Sequence, residues 1–151
     1  MSNHSPLGNK IVTQIGIIVP DIEAAIQAWS AVLGVPAPEI LIVDTADKTQ
    51  AKYQGQPTDA RAKLAFFKLG QVSLELIEPM GEPSTWNEQL QGHGASLHHI
   101  AFEVEGMADS LDKLAAHGMT LLQKGEYEGG RYAYVDGVER FGAVVELLEN
   151  D

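Results

Sequence analysis

Gln14-Ile-Gly-Ile-Ile-Val19 and His99-Ile-Ala-Phe-Glu-Val104 decide the fold. Both are short, apolar and rich in branched or aromatic residues, so each reads as a strand buried on both faces. An amphipathic helix follows each one. After the first, Asp21 caps a helix that runs to about Leu33 and closes at Gly34, with Ile22, Ile26, Trp29 and Leu33 on one stripe. After the second, Met107, Leu111 and Leu114 form the stripe of a helix running to His117. A second pair of segments recurs in the same order, Leu74-Glu-Leu-Ile-Glu78 and Val145-Glu-Leu-Leu-Glu149. One match between apolar segments is a weak signal. Two matches in one order, each behind the same kinds of element, indicate an internal repeat. The chain therefore reads as α+β, with one βαβββ module over 11–79, a linker with a short helix over 80–95, and a second βαβββ module over 96–151.

The flanking segments fill in the modules. The first strand extends over Ile11–Val19 and the repeat strand over Leu97–Val104. Further strands are expected at Glu39–Asp44, Lys63–Leu69, Val72–Glu78, Thr120–Lys124, Arg131–Val135 and Ala143–Leu148. Thr45–Ala60 is polar, carries Gly55 and Pro57, and reads as a loop. Thr85-Trp-Asn-Glu88 fits a capping box that starts the linker helix. Met1–Lys10 lacks an apolar stretch and reads as a disordered tail rather than a signal peptide.

Composition narrows the function. The chain has 151 residues, with 21 Asp+Glu against 10 Lys+Arg and a formal charge of −11. Such a surface repels phosphate backbones and anionic lipid, so neither nucleic acid nor membrane is an expected partner. There is no cysteine, which removes disulfides, thiolate catalysis and zinc sites built on sulfur. It also suits a reducing cytoplasm, the expected location.

Chemistry is carried by polar residues that recur on the apolar strands. Side chains alternate across a strand. In the first repeat strand Ile15, Ile17 and Val19 share one face, and Gln14 shares the other with Gly16 and Ile18. In its counterpart Ile100, Phe102 and Val104 share one face, and His99 shares the other with Ala101 and Glu103. Glu75 faces away from Leu74 and Leu76, as Glu146 does from Val145 and Leu147. A lone glutamine or glutamate on a strand is ordinarily solvated. A carboxylate inside so apolar a strand is costly unless it is paired or bound to a cation. If the modules pack about a pseudo-twofold axis, Gln14, Glu75, His99 and Glu146 converge. One nitrogen and three oxygen donors suit one divalent ion, with Zn²⁺, Ni²⁺, Co²⁺, Mn²⁺ and Mg²⁺ all compatible. Glu78 and Glu149 stand at module ends and are expected to be solvated. His98 is expected to point away from His99 and support structure. His4 and His117 are expected on the surface and His93 in a loop.

These pieces resemble the vicinal oxygen chelate superfamily, which includes glyoxalase I, methylmalonyl-CoA epimerase, extradiol dioxygenases and bleomycin-resistance proteins. The matching segments are TQIGIIVPDIEAAIQAW, LAFFKLGQVSLELIEP, LHHIAFEVEGMADSLDKL, GGRYAYVD and GAVVELLE. The resemblance implies paired βαβββ modules whose mixed sheet curves into a cup around one metal. It also implies a homodimer, and it places the family's ligands on Gln14, Glu75, His99 and Glu146. Layout and length look most like methylmalonyl-CoA epimerases, whose first ligand is usually His. The Gln/Glu/His/Glu set looks like that of zinc-type glyoxalase I. A dioxygenase needs two suitably placed His, and only His99 qualifies.

Proton transfer at a carbon next to a carbonyl is the implied chemistry. Glu146 is expected as the principal base and Glu75 as its counterpart. The first expectation is a glyoxalase-I-like lyase, the second a methylmalonyl-CoA epimerase-like isomerase, and the third a non-catalytic small-molecule binding or resistance protein. Glutathione conjugates and acyl-CoA thioesters are both anionic, so a basic patch is needed on this acidic chain. Arg61, Lys63, Lys68, Arg131 and Arg140 are candidates, and Tyr132 is a candidate for the wall of the cup together with Phe66, Trp86 and Tyr134.

Overall fold

A computed structural model describes residues 5–151. The expected tail falls partly outside that range, as does His4. Within it, Leu7 packs against the core under the second helix of the repeat, and Asn9 donates to the Glu103 carbonyl at 2.7 Å.

The chain runs β1 (Gln14–Ile18), α1 (Ile22–Leu33), β2 (Leu41–Ile42), α2 (Ala46–Thr49), β3 (Lys52–Tyr53), β4 (Gln56–Pro57), β5 (Arg61–Leu69) and β6 (Val72–Met80). It continues with α3 (Thr85–His93), β7 (Ser96–Glu103), α4 (Met107–Ala116), β8 (Leu121–Tyr127), β9 (Gly130–Val135), α5 (Val138–Phe141) and β10 (Val144–Asn150). Among the described residues the ten strands form one curled mixed sheet in the order β2-β5-β6-β1-β7-β10-β9-β8-β3-β4. β1 is parallel to β6, β7 is parallel to β10, and the two leading strands β1 and β7 meet antiparallel at the centre. The repeat inferred from the sequence is therefore a repeat of topology, and its two halves join along the β1–β7 seam.

Alternation sorts the strands into two faces. Leu74 and Leu76 pack with Ile22 and Ile26 under α1, and Val145 and Leu147 pack with Met107 and Leu114 under α4. Burying each such side chain contributes roughly 1.5–3 kcal/mol, which is what holds the helices to the outside of the sheet. The other face, carrying Gln14, Glu75, His99 and Glu146, is left to line the inside.

Each repeat helix has a cap that comes from the far end of its own module. Asp21 accepts from Ala24 N at α1, as expected, and Glu78 at the end of β6 accepts from Ile22 N at 2.9 Å. At α4 the cap residue Gly106 offers no side chain, and Glu149 at the end of β10 accepts its N–H at 2.6 Å. The expectation that Glu78 and Glu149 are merely solvated is thereby corrected. They satisfy orphan amides at the positive end of each helix.

Three local differences from the sequence reading have physical causes. The cap of α3 is Ser84, which accepts from Asn87 N at 2.9 Å, one residue before the expected Thr85. Thr85 is drawn into the first turn because Gln123 Oε1 takes its N–H at 2.8 Å, and Glu88 is held by the Tyr53 hydroxyl instead of closing a capping box. His93 accordingly ends α3 rather than lying in a loop. The expected loop 45–60 holds α2 and the β3–β4 hairpin, which turns at Gln54-Gly55 with φ of 50° and 82°. Positive φ at both positions is the two-residue hairpin geometry that matches strand twist. The hairpin pairs with β8, so a segment of the first module completes the sheet of the second. Among the described residues, no helix is long and apolar enough to cross a membrane.

Candidate metal centre

Four strands each contribute one polar side chain to the floor of the curl. Gly16 stands opposite both Glu75 and His99 in the ladders, and Ala101 stands opposite both Gln14 and Glu146. The small residues at Gly16 and Ala101 leave the interior to their larger neighbours. His99 is fully buried, Glu146 is 4% exposed and Glu75 is 6% exposed.

The four side chains meet at one point. His99 Nε2 lies 2.9 Å from Gln14 Oε1, 3.0 Å from Glu146 Oε1 and 3.4 Å from Glu75 Oε1. The inward atom of the Gln14 amide is 2.7 Å from Glu146 Oε1 and 3.0 Å from Glu75 Oε1. Ligand atoms of Glu75, His99 and Glu146 all lie within 4.8 Å of one another. With its oxygen inward, Gln14 faces two other acceptors. Turning the amide nitrogen inward gives it those acceptors as partners, and a cation between the oxygens would equally relieve their opposition. Donors roughly 3 Å apart surround a point roughly 2 Å from each, the length of metal–nitrogen and metal–oxygen bonds. One imidazole, one amide and two carboxylates thus fit a divalent cation, and the pair of carboxylates balances its charge.

Electrostatics describe the same point without a cation. Burial alone would lower the His99 imidazole, but the Glu146 and Glu75 carboxylates outweigh it and push it up to about 10. Burial raises the Glu75 carboxyl above its ordinary range, against the pull of His99. Burial, and then the neighbouring His99 charge, hold His98 well below the usual imidazole range.

His98 lies beside His99 rather than opposite to it. The β1–β7 register pairs Gly16 with His99 and Ile17 with Leu97, so His98 is the extra residue of a β-bulge. A bulge re-aims side chains that plain alternation would separate. The two rings end up with their Nδ1 atoms 2.8 Å apart. The His98-His99 doublet is the one trace of this arrangement in the sequence.

Above the donors is a cavity of about 380 Å³ with a mainly apolar wall. Phe66, Trp86, Tyr132 and Tyr134 line it, as the sequence reading expects, and Tyr127 joins them. The wall is braced from behind. Trp86 donates to the Tyr134 hydroxyl and Gln123 to the Tyr132 hydroxyl, each at 3.0 Å. Asp44 and Glu126 bring charge to the lining, and none of its residues is Lys or Arg.

The five candidate cations do not converge on this cavity. Arg61 donates to the Val43 carbonyl at 2.8 Å, and Lys63 pairs with Glu78 at 3.7 Å. Arg131 pairs with Glu149 at 3.0 Å and Asp151 at 2.6 Å, and Arg140 donates to the His117 carbonyl. Lys68 is exposed near the end of β5. Alternation explains three of them. Leu64 and Phe66 face the cavity, so Arg61 and Lys63 face away, and Tyr132 likewise sends Arg131 outward.

A family signature described as Glyoxalase/Bleomycin resistance protein/Dioxygenase superfamily matches residues 13–135. The ethylmalonyl-CoA/methylmalonyl-CoA epimerase of Cereibacter sphaeroides is 31% identical over 143 residues, spanning 90% of this chain and 95% of that one. The crystal structure of methylmalonyl-CoA epimerase from Mycobacterium tuberculosis superposes with a TM-score of 0.62 at 20% identity, covering 100% of this chain and 93% of that one. A single-residue variant of Streptomyces coelicolor methylmalonyl-CoA epimerase in complex with 2-nitronate-propionyl-CoA gives a TM-score of 0.63 at 19% identity over 93% and 94% of the two chains. With a signature over most of its length and an epimerase relative spanning nearly all of it, the chain belongs to the glyoxalase/bleomycin resistance/dioxygenase superfamily.

Proposed function

We propose that this protein is a divalent-metal-dependent isomerase that removes and returns the proton on a carbon next to a thioester carbonyl. The observation that carries the reading is the convergence of Gln14, Glu75, His99 and Glu146 at the floor of a mainly apolar cavity. The epimerase relatives support the reaction class, and acyl-CoA is the substrate class their names carry.

Gln14, Glu75, His99 and Glu146 are the residues that would hold the cation. When bound there, it supplies positive charge against the negative charge that builds on a carbonyl oxygen as a neighbouring C–H bond breaks. Glu146 takes the proton from that carbon, and Glu75 returns one from the other side. Glu75 lies across the donor point from Glu146 and lines the same cavity, which places it for that second task. Phe66, Tyr132 and Tyr134 exclude water, which strengthens every charge interaction at the floor. With no Lys or Arg in the lining, the cavity takes the acyl end and its uncharged thiol arm, and the phosphates of an acyl-CoA lie outside it. The homodimer implied by the family resemblance belongs to this reading.

A glyoxalase-I-like lyase is the second reading, and the amide donor at Gln14 favours it. One pair of assays separates them. Metal analysis of the purified protein comes first, and a stoichiometric divalent ion is expected. The loaded protein is then incubated in D₂O with methylmalonyl-CoA, and separately with methylglyoxal plus glutathione. Solvent deuterium at the α-carbon of the thioester supports the isomerase. Turnover of the hemithioacetal alone supports the lyase. Absence of both metal and exchange overturns both and leaves a binding protein.

A further inference from the structure

The geometry points to His98 as a positioning residue that fixes the orientation and the tautomer of His99 through a hydrogen-bonded line ending on the first turn of α3. The inference rests on the metal reading of Gln14, Glu75, His99 and Glu146, and it concerns a residue that does not line the cavity itself.

The line is short and buried. His99 Nδ1 and His98 Nδ1 are 2.8 Å apart, and His98 Nε2 is 3.1 Å from Thr85 Oγ1. Both rings are shielded from water, His99 at 0% and His98 at 2% exposed. Thr85 is anchored in turn, because its N–H donates to Gln123 Oε1 at 2.8 Å and Gln123 donates to the Tyr132 hydroxyl at 3.0 Å. The His98 ring is also stacked edge-on against Tyr134, with centroids 5.0 Å apart at 90°.

Each neutral imidazole has one donor nitrogen and one acceptor nitrogen, and that rule assigns the whole line. His99 Nε2 is the atom aimed at the three oxygens, so it keeps its lone pair for the cation. Its proton must then sit on Nδ1, which donates. Two Nδ1 atoms at 2.8 Å need one donor and one acceptor, so His98 Nδ1 accepts. The His98 proton therefore sits on Nε2 and is donated to Thr85 Oγ1. The opposite tautomer of His98 would set donor against donor at the first contact and leave Nε2 dependent on the threonine hydroxyl alone.

The backbone is bent to make this contact. Only the bulge at His98 allows consecutive residues of β7 to reach each other on one side of the sheet. A metal-bound imidazole gains basicity and a fixed ring plane from an acceptor on its other nitrogen. In this chain a second imidazole takes the place of the more usual carboxylate or carbonyl.

The test compares the whole protein with His98→Leu, His98→Asn and Thr85→Val. Zn²⁺ affinity is measured by competition with a chelator, and the metal-free proteins are melted as a folding control. His98→Leu should lose about 10–100-fold in Zn²⁺ affinity, the range for removing such a partner. His98→Asn carries an acceptor oxygen near the position of Nδ1, and it should stay within about threefold of the natural protein. Thr85→Val, which frees the far end of the line, should fall between them. In the Zn²⁺-loaded natural protein, ¹⁵N NMR should show a slowly exchanging Nδ1–H on His99. That signal should persist in His98→Asn and be lost in His98→Leu. Equal affinity and an unchanged His99 signal in His98→Leu overturn the proposal. If His98→Leu does not fold, equal affinity in Thr85→Val together with a tenfold loss in His98→Asn overturns it. If the natural protein takes up another divalent ion in place of Zn²⁺, the same comparison is made with that ion; if it binds none, the metal reading falls first and the proposal falls with it.

Discussion

Gly16 and His99 face each other across the seam of the two halves, and the His99 ring occupies the space a side chain at Gly16 would fill. A Cβ at Gly16 would stand 2.1 Å from His99 Cε1 and within 2.6 Å of both ring nitrogens. The glycine is therefore required for room and not for backbone freedom. Gly16→Ala must push the ring off the donor point or open the β1–β7 pair. Overpacking of this kind costs about 1–3 kcal/mol. The expected outcome is a lower melting temperature together with loss of stoichiometric metal. A variant that keeps the full metal content would show that His99 is not held where the ladder places it.

This relationship also shows what the sequence could and could not disclose. The four donors are legible because they fall at repeat-equivalent positions on strands whose two-residue period assigns their face. The room left by Gly16 is legible too, but not its occupant. The bulge at His98 depends on how β7 registers against β1, and no single strand encodes that. The β3–β4 hairpin escapes a sequence reading because strands of two residues carry no period. The outward direction of Arg61, Lys63 and Arg131 is available from the alternation with Leu64, Phe66 and Tyr132. A search for positive charge alone overlooks it.

Glu146 lies against both His99 and the cavity, which makes it the test of the proton-transfer reading. Glu146→Gln keeps the shape and the oxygen donor but removes the basic carboxylate. Loss of a positioned base costs about 10²–10⁴-fold in rate. The variant should therefore melt normally while deuterium exchange into substrate falls by that factor. Exchange at near the natural rate would remove Glu146 from the role and leave Glu75 as the base.

Metal uptake should be driven by rising pH. Without metal, His99 holds its proton up to about 10, against an ordinary value of 6.5, and a cation must displace that proton from Nε2. Between those values uptake should release about one proton from His99, and apparent affinity should rise roughly tenfold per pH unit. Calorimetry of Zn²⁺ binding in two buffers of different ionisation enthalpy reads the proton directly. The metal-free protein shows the converse. A folded-state value above the unfolded one stabilises the fold fully below 6.5, and that contribution fades as pH rises through about 10. Uptake without proton release at pH 8 would contradict both statements.

The helix caps give a prediction with the opposite sign. Glu149 is held below its ordinary value of 4.5, first by the Gly106 N–H and then by Arg131. A carboxylate favoured in the folded state stabilises above the unfolded value and loses that contribution as pH falls through the folded one. Glu149→Gln should melt below the natural protein at pH 7, where α4 has lost its charged cap. The gap should close as pH falls from 4.5 through the lower folded-state value, where the natural carboxyl takes up its proton too. Glu78→Gln probes the equivalent cap at Ile22 N on α1, where the Lys63 pair lies alongside. A melting gap for Glu149→Gln that stays constant from pH 7 to pH 3 would show that the capping charge adds nothing to the stability of the second half.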